Sequence, residues 1–129
     1  MRKAKPAAIA LHLLITLGCL ALFVLRWIHL FQPEVVVINR AVTSYISNFA
    51  LSLVLCALTG FVLLTLGGKL TAALAFCLAV LLANVLYEAF LPILNTRDLT
   101  DAVYGIAGSL LGGAYVCWLN RFGYREQTA

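Results

Sequence analysis

The chain has 129 residues, of which 64% are hydrophobic and only 11% charged, and it carries a net charge of +4. A water-soluble domain averages about 25% charged residues and cannot hide this much apolar surface in so small a core, so an ordinary soluble domain is excluded. Nucleic-acid binding is not indicated, because the basic residues form no stripe and are not interleaved with aromatics.

The charges are separated by four long uncharged stretches, each close to the roughly 20 apolar residues that cross a hydrocarbon core. Lipid cannot satisfy a bare backbone and no alternating barrel pattern is visible, so the spans are predicted to be helices. The expected fold is an all-α membrane protein: one domain, 1–129, forming a bundle of four transmembrane helices.

Span one is placed at Ala7 to Leu25, behind Arg2, Lys3 and Lys5. It resembles a signal peptide in its basic start, but it is long for an h-region. Arg26-Trp27 follows without a small-residue cleavage site, so the span reads as an uncleaved anchor. The segment from Arg26 to Asn48 reads as an outer, non-membrane connection. Its Trp27, His29, Phe31 and Tyr45 suit a membrane–water interface, and the β-branched run at Glu34 to Ile38 is either extended or dips into that interface. Span two runs from Phe49 to Leu66. Gly67-Gly68-Lys69 then makes a tight turn into span three, Leu70 to Leu91, as an antiparallel pair. Pro92 to Thr100 connects to span four, Ala102 to Asn120.

Charge asymmetry gives the orientation. Arg2, Lys3, Lys5, Lys69, Arg121 and Arg125 fall on one side and only Arg26, Arg40 and Arg97 on the other, so both termini are expected in the cytoplasm. The cysteines, Cys19, Cys56, Cys77 and Cys117, fall one per span, without CxxC or zinc spacing. They read as small packing residues, with Cys19 and Cys56 at similar depth. His12, Thr16 and Cys19 share a face of span one and read as an interhelical contact, and His29 as interfacial. No metal site and no cofactor is expected.

Polar groups inside a membrane are costly and therefore informative. Asn84 and Glu88, four apart on span three, share a helix face, and Arg97, Asp98 and Asp101 follow within a short distance. Three carboxylates and a guanidinium thus gather at one outer corner. In span four, Asp101, Gly105, Gly108 and Gly112 form one stripe with Tyr104 beside it, and the small residues allow another helix to approach closely, with span three the expected partner. Several readings of the corner stand side by side. In a purely architectural one, Asp98 caps span four, Asp101 sits by the helix dipole and Glu88 pairs with Arg97. In a second, Arg97 contacts a lipid phosphate or carboxylate while the acids orient a polar ligand. A hard-cation site or a catalytic carboxylate pair is a third, although the spacing matches no defined loop and there is no nucleophile elbow.

The stretch Glu88, Arg97, Asp98-Leu99-Thr100-Asp101, Gly108 and Gly112 resembles the VanZ-like family of small bacterial membrane proteins, and Tyr104 matches a tyrosine of its short four-span branch. The resemblance covers roughly the last third of the chain. It departs at Leu91 and Gly105, where the family commonly has glutamine and asparagine, and in a shorter loop. What the resemblance implies is a bacterial inner-membrane envelope protein, with a role like that of members associated with low-level resistance to the glycopeptide teicoplanin. The ligand-binding residues expected at the outer corner are Glu88, Arg97, Asp98, Asp101, Asn84 and Tyr104, with Gly105, Gly108 and Gly112 packing the helices. Membrane lipids and an amphiphile or lipid-linked ligand are the expected partners, and a homo-oligomer is a further one. The reading is non-enzymatic. Its rivals are a small proton-coupled exporter using Glu88, a membrane enzyme on lipid-linked substrates, and an assembly subunit meeting another chain through the span-four glycines.

Overall fold

The computed structural model describes residues 2–31, 40–90 and 99–125, with side chains for 2–28, 46–87 and 102–125. Four helices follow in order: α1 Pro6–Phe31, α2 Arg40–Thr65, α3 Leu70–Phe90 and α4 Leu99–Phe122. Within them, Pro6–Ile28, Ile46–Thr65, Leu70–Tyr87 and Ala102–Phe122 are long and apolar enough to cross a membrane. The all-α bundle of four spans is therefore the one the composition indicates.

Two boundaries differ from the sequence reading. α1 continues past Leu25 to Phe31, and α2 begins at Arg40, nine residues ahead of Phe49, so most of the connection read as non-membrane is helical. The physical reason is backbone satisfaction. At 26 residues, α1 is about 39 Å long, more than the roughly 30 Å hydrocarbon core. Continuing the helix keeps amides paired through the interface, where Trp27 stands exposed. The β-branched run Glu34 to Ile38 lies outside the described residues.

Local chemistry sets the helix ends at the terminal face of the bundle. Pro6 opens α1, where its missing N–H costs nothing. The Lys5 carbonyl accepts the amides of Ala8 and Ile9. α2 stops at a glycine pair: Gly67 has φ +91°, and the amides of Gly67 and Gly68 donate to Leu64 and Leu63 at 3.1 and 2.7 Å. These are the paired bonds that satisfy orphan carbonyls when the residue after a helix is left-handed. The Lys69 carbonyl then accepts Ala72 and Ala73 to start α3.

The tightest interface is between α2 and α4, which run parallel through the middle of the bundle. Small residues let their backbones meet. A Cβ at Gly108 would strike the Phe49 carbonyl, one at Gly112 would lie 2.5 Å from the Cβ of Cys56, and one at Gly60 would strike Val116. α3 packs on both of these helices, and α1 packs mainly on α2. The buried core is correspondingly small in volume, with Ala8, Cys56, Ala57, Ala73 and Cys77 beside Leu64, Tyr115, Val116 and Leu119. Leu14, Leu17, Leu78 and Leu110 point outward, as suits a bundle whose solvent is lipid.

The termini meet at one end. Ala4 and Tyr124 form an isolated antiparallel bridge. The Lys5 amide donates to the Gly123 carbonyl at 2.8 Å, Arg125 to Lys3 at 3.0 Å, and Arg2 to Thr65 at 2.7 Å. The Arg2 guanidinium lies 4.2 Å above the Tyr124 ring and donates to Asn120 Oδ1 at 3.0 Å. The Tyr124 hydroxyl sits 2.9 Å from Thr65 Oγ1 and donates to the Phe61 carbonyl at 3.2 Å. Burial pushes the Tyr124 phenol up, while the Thr65 hydrogen bond and the Arg2 charge pull it back.

Candidate functional site

The expected site divides between described and undescribed residues. Arg97 and Asp98 lie outside the described residues, as do the side chains of Glu88 and Asp101. The backbone positions of the last two are helical, in the final turn of α3 and the first turn of α4.

Asn84 supplies the geometry beneath that corner. Its Nδ2 donates to Ser52 Oγ at 3.0 Å and to the Val80 carbonyl at 2.9 Å. Its Oδ1 occupies the space a Cβ on Gly105 would need. The carboxamide therefore ties α3 to α2 while pressing against α4. Carried one turn further along this antiparallel register, the helical positions of Glu88 and Asp101 come opposite one another.

The glycine stripe of α4 does not face α3 throughout. Gly105 meets Asn84 of α3, but Gly108 and Gly112 meet Phe49, Ser52 and Cys56 of α2. Among these glycines, the expectation that span three is the partner holds only at Gly105. The reason is a complementary small stripe, Ser52-x3-Cys56-x3-Gly60, whose members are all buried on α2. All three predicted packing glycines are thus used in contacts inside the chain, whereas a Cβ at Gly113 would meet nothing within 4 Å.

Two grooves flank these contacts in the half of the bundle away from the termini. One, of about 410 Å³, opens between α2 and α3; Leu51, Leu55, Val80 and Ala83 form its walls, and Asn48, Ser52 and Asn84 its polar part. Tyr87 stands at its rim, exposed. The other, of about 440 Å³, lies between α2 and α4 and is lined by Ile46, Phe49, Val103, Tyr104 and Ala107. Asn84 and Tyr104, read together from sequence, therefore line separate grooves.

Nearer the termini, His12 is held from three sides. Its Nδ1 and the Tyr115 hydroxyl are 2.9 Å apart, its ring stacks on Phe61 at 4.3 Å between centroids, and its carbonyl accepts from Thr16 at 2.9 Å. The helix-contact reading of His12 thus acquires named partners on α2 and α4. Cys56 and Cys77 share the main buried cluster. Cys19 belongs to a different cluster, with Ala50 and Leu53. Among the described residues, no three histidine, cysteine, aspartate or glutamate side chains converge as metal ligands.

No protein-family model matches the chain, and no curated protein or solved structure does so either.

Proposed function

We propose that this multi-pass membrane protein is a non-enzymatic, VanZ-like protein of the bacterial inner membrane that holds an amphiphile at the outer end of its bundle. In this reading both termini are cytoplasmic. The acyl part of the ligand lies in the lateral groove between α2 and α3, and its polar head reaches the corner formed by Glu88, Arg97, Asp98 and Asp101. The observation that carries it is the groove itself. Leu51, Leu55 and Val80 wall it, Ser52 and Asn84 give it a polar part, and Glu88 follows one helical turn beyond Asn84. Such sites are mostly apolar, with a few placed polar groups that fix orientation. The glycine-mediated assembly rival loses support, because Gly105, Gly108 and Gly112 are already covered within the chain.

A photoreactive teicoplanin analogue, added to the reconstituted chain, tests the site. Labelling of peptides from 48–55 and 80–87 that excess teicoplanin suppresses, and that Ala83→Trp abolishes, is the expected result. Labelling spread evenly over α1 and α4 would defeat the proposal.

A further inference from the structure

The bridge between the termini has two faces. Along the first segment, side chains alternate. Arg2 and Ala4 turn toward the bundle, Arg2 reaching Asn120 and Ala4 packing beside the core, and Tyr124 opposite Ala4 is buried. Lys3 and Lys5 are left on the other face, both exposed. In the antiparallel pairing fixed by the bonds of Lys5 to Gly123 and Arg125 to Lys3, Arg125 stands directly across from Lys3 on that same face and is also exposed. Gly123, across from Lys5, is buried against Leu119 and adds no side chain to that face.

Like charges directly opposite one another on a ribbon destabilise it. Here the backbone bonds hold them together, and among the described residues no carboxylate lies at this end of the bundle. The ribbon joins the ends of two spans, next to Thr65 and Phe122, which places it at headgroup depth. We infer that Lys3, Lys5 and Arg125 form a built seat for the phosphate of an anionic phospholipid in the leaflet at this end. The lipid phosphate supplies counter-charge to these three cations. The seat is at the opposite end from the amphiphile groove and does not depend on it.

The test is association of spin-labelled phosphatidylglycerol, against spin-labelled phosphatidylcholine, with the full chain in phosphatidylcholine vesicles. The wild-type chain selects phosphatidylglycerol. The triple variant Lys3→Gln, Lys5→Gln, Arg125→Gln loses about tenfold of that selectivity. Lys69→Gln with Arg121→Gln, which removes exposed charge at the same end but off the ribbon, keeps most of it. Lys3→Arg with Lys5→Arg, which preserves the ribbon and its charge, keeps all of it. Unchanged selectivity in the triple variant would overturn the inference. So would an equal loss in the Lys69/Arg121 pair, which would mean only a diffuse surface charge. Displacement of the labelled lipid by inorganic phosphate alone would also overturn it, by showing a free-anion site.

Discussion

The carboxamide of Asn84 on α3 fills the space above Gly105 on α4 where any other residue would place its Cβ. The same amide donates to Ser52 of α2, so three helices are registered through one side chain. Gly105→Ala is expected to push Asn84 off Ser52 and to lower stability by about 1–3 kcal/mol, the usual cost of overpacking. Adding Asn84→Ala to Gly105→Ala removes the clash, so the two changes combine non-additively, with a coupling of about 0.5–3 kcal/mol. Unfolding in mixed micelles measures all three variants, and strict additivity would contradict the contact.

Gly112 and Gly113 are neighbours with opposite expectations. Gly112→Ala drives a methyl group into Cys56 and is expected to destabilise the α2–α4 interface by about 1–3 kcal/mol. Gly113→Ala meets open space and gains helix propensity, so it is neutral or stabilising by up to about 1 kcal/mol. Equal effects of the two substitutions in a thermal-shift measurement would mean that the stripe faces elsewhere.

Cys56 on α2 and Cys77 on α3 are the two cysteines buried in one cluster. Oxidation of the reduced chain with copper-phenanthroline should join them, and mass mapping should recover a 56–77 cross-link that fastens the α2–α3 hairpin. Cys19, packed with Ala50 and Leu53, should stay unpaired within the chain. A 19–56 cross-link in its place would refute the arrangement.

The terminal clasp should be alkali-sensitive. The Tyr124 phenol is raised in the folded chain, so the folded state holds its proton more tightly than the unfolded state. Its contribution is fully present below the unfolded value, about 10, and is lost as pH rises through the folded value. Proteolysis of the first residues should therefore accelerate above about pH 10. Tyr124→Phe, which keeps the ring beneath Arg2 but loses the bonds to Thr65 and Phe61, should show faster cleavage at neutral pH and little further change in alkali.

Much of this architecture is legible in the sequence because lipid imposes a coarse rule. Long uncharged stretches must be helices, and Gly67-Gly68-Lys69 must turn. What escaped was interhelical partnership. The glycines of α4 are visible as a stripe, but a stripe does not say which helix it meets. Ser52, Cys56 and Gly60 at intervals of four were the available signal for α2, obscured because serine and cysteine read less plainly as small than glycine does. Tyr115, whose hydroxyl meets His12, lies in a span whose apolar composition hides a single polar atom. The pairing of Ala4 with Tyr124 joins residues 120 positions apart, a distance over which no local pattern speaks.

Teicoplanin susceptibility of a sensitive Gram-positive host is the most direct measurement of the proposed amphiphile site. It would compare the wild-type chain with Glu88→Gln, Asp101→Asn and Ala83→Trp at matched membrane levels, with Gly113→Ala as the control that leaves the groove untouched. Protection by the wild type and by Gly113→Ala, lost in the other three, is the expected result. A well-expressed wild-type chain that gives no protection, or variants that protect equally, would contradict an amphiphile site at the head of the α2–α3 groove.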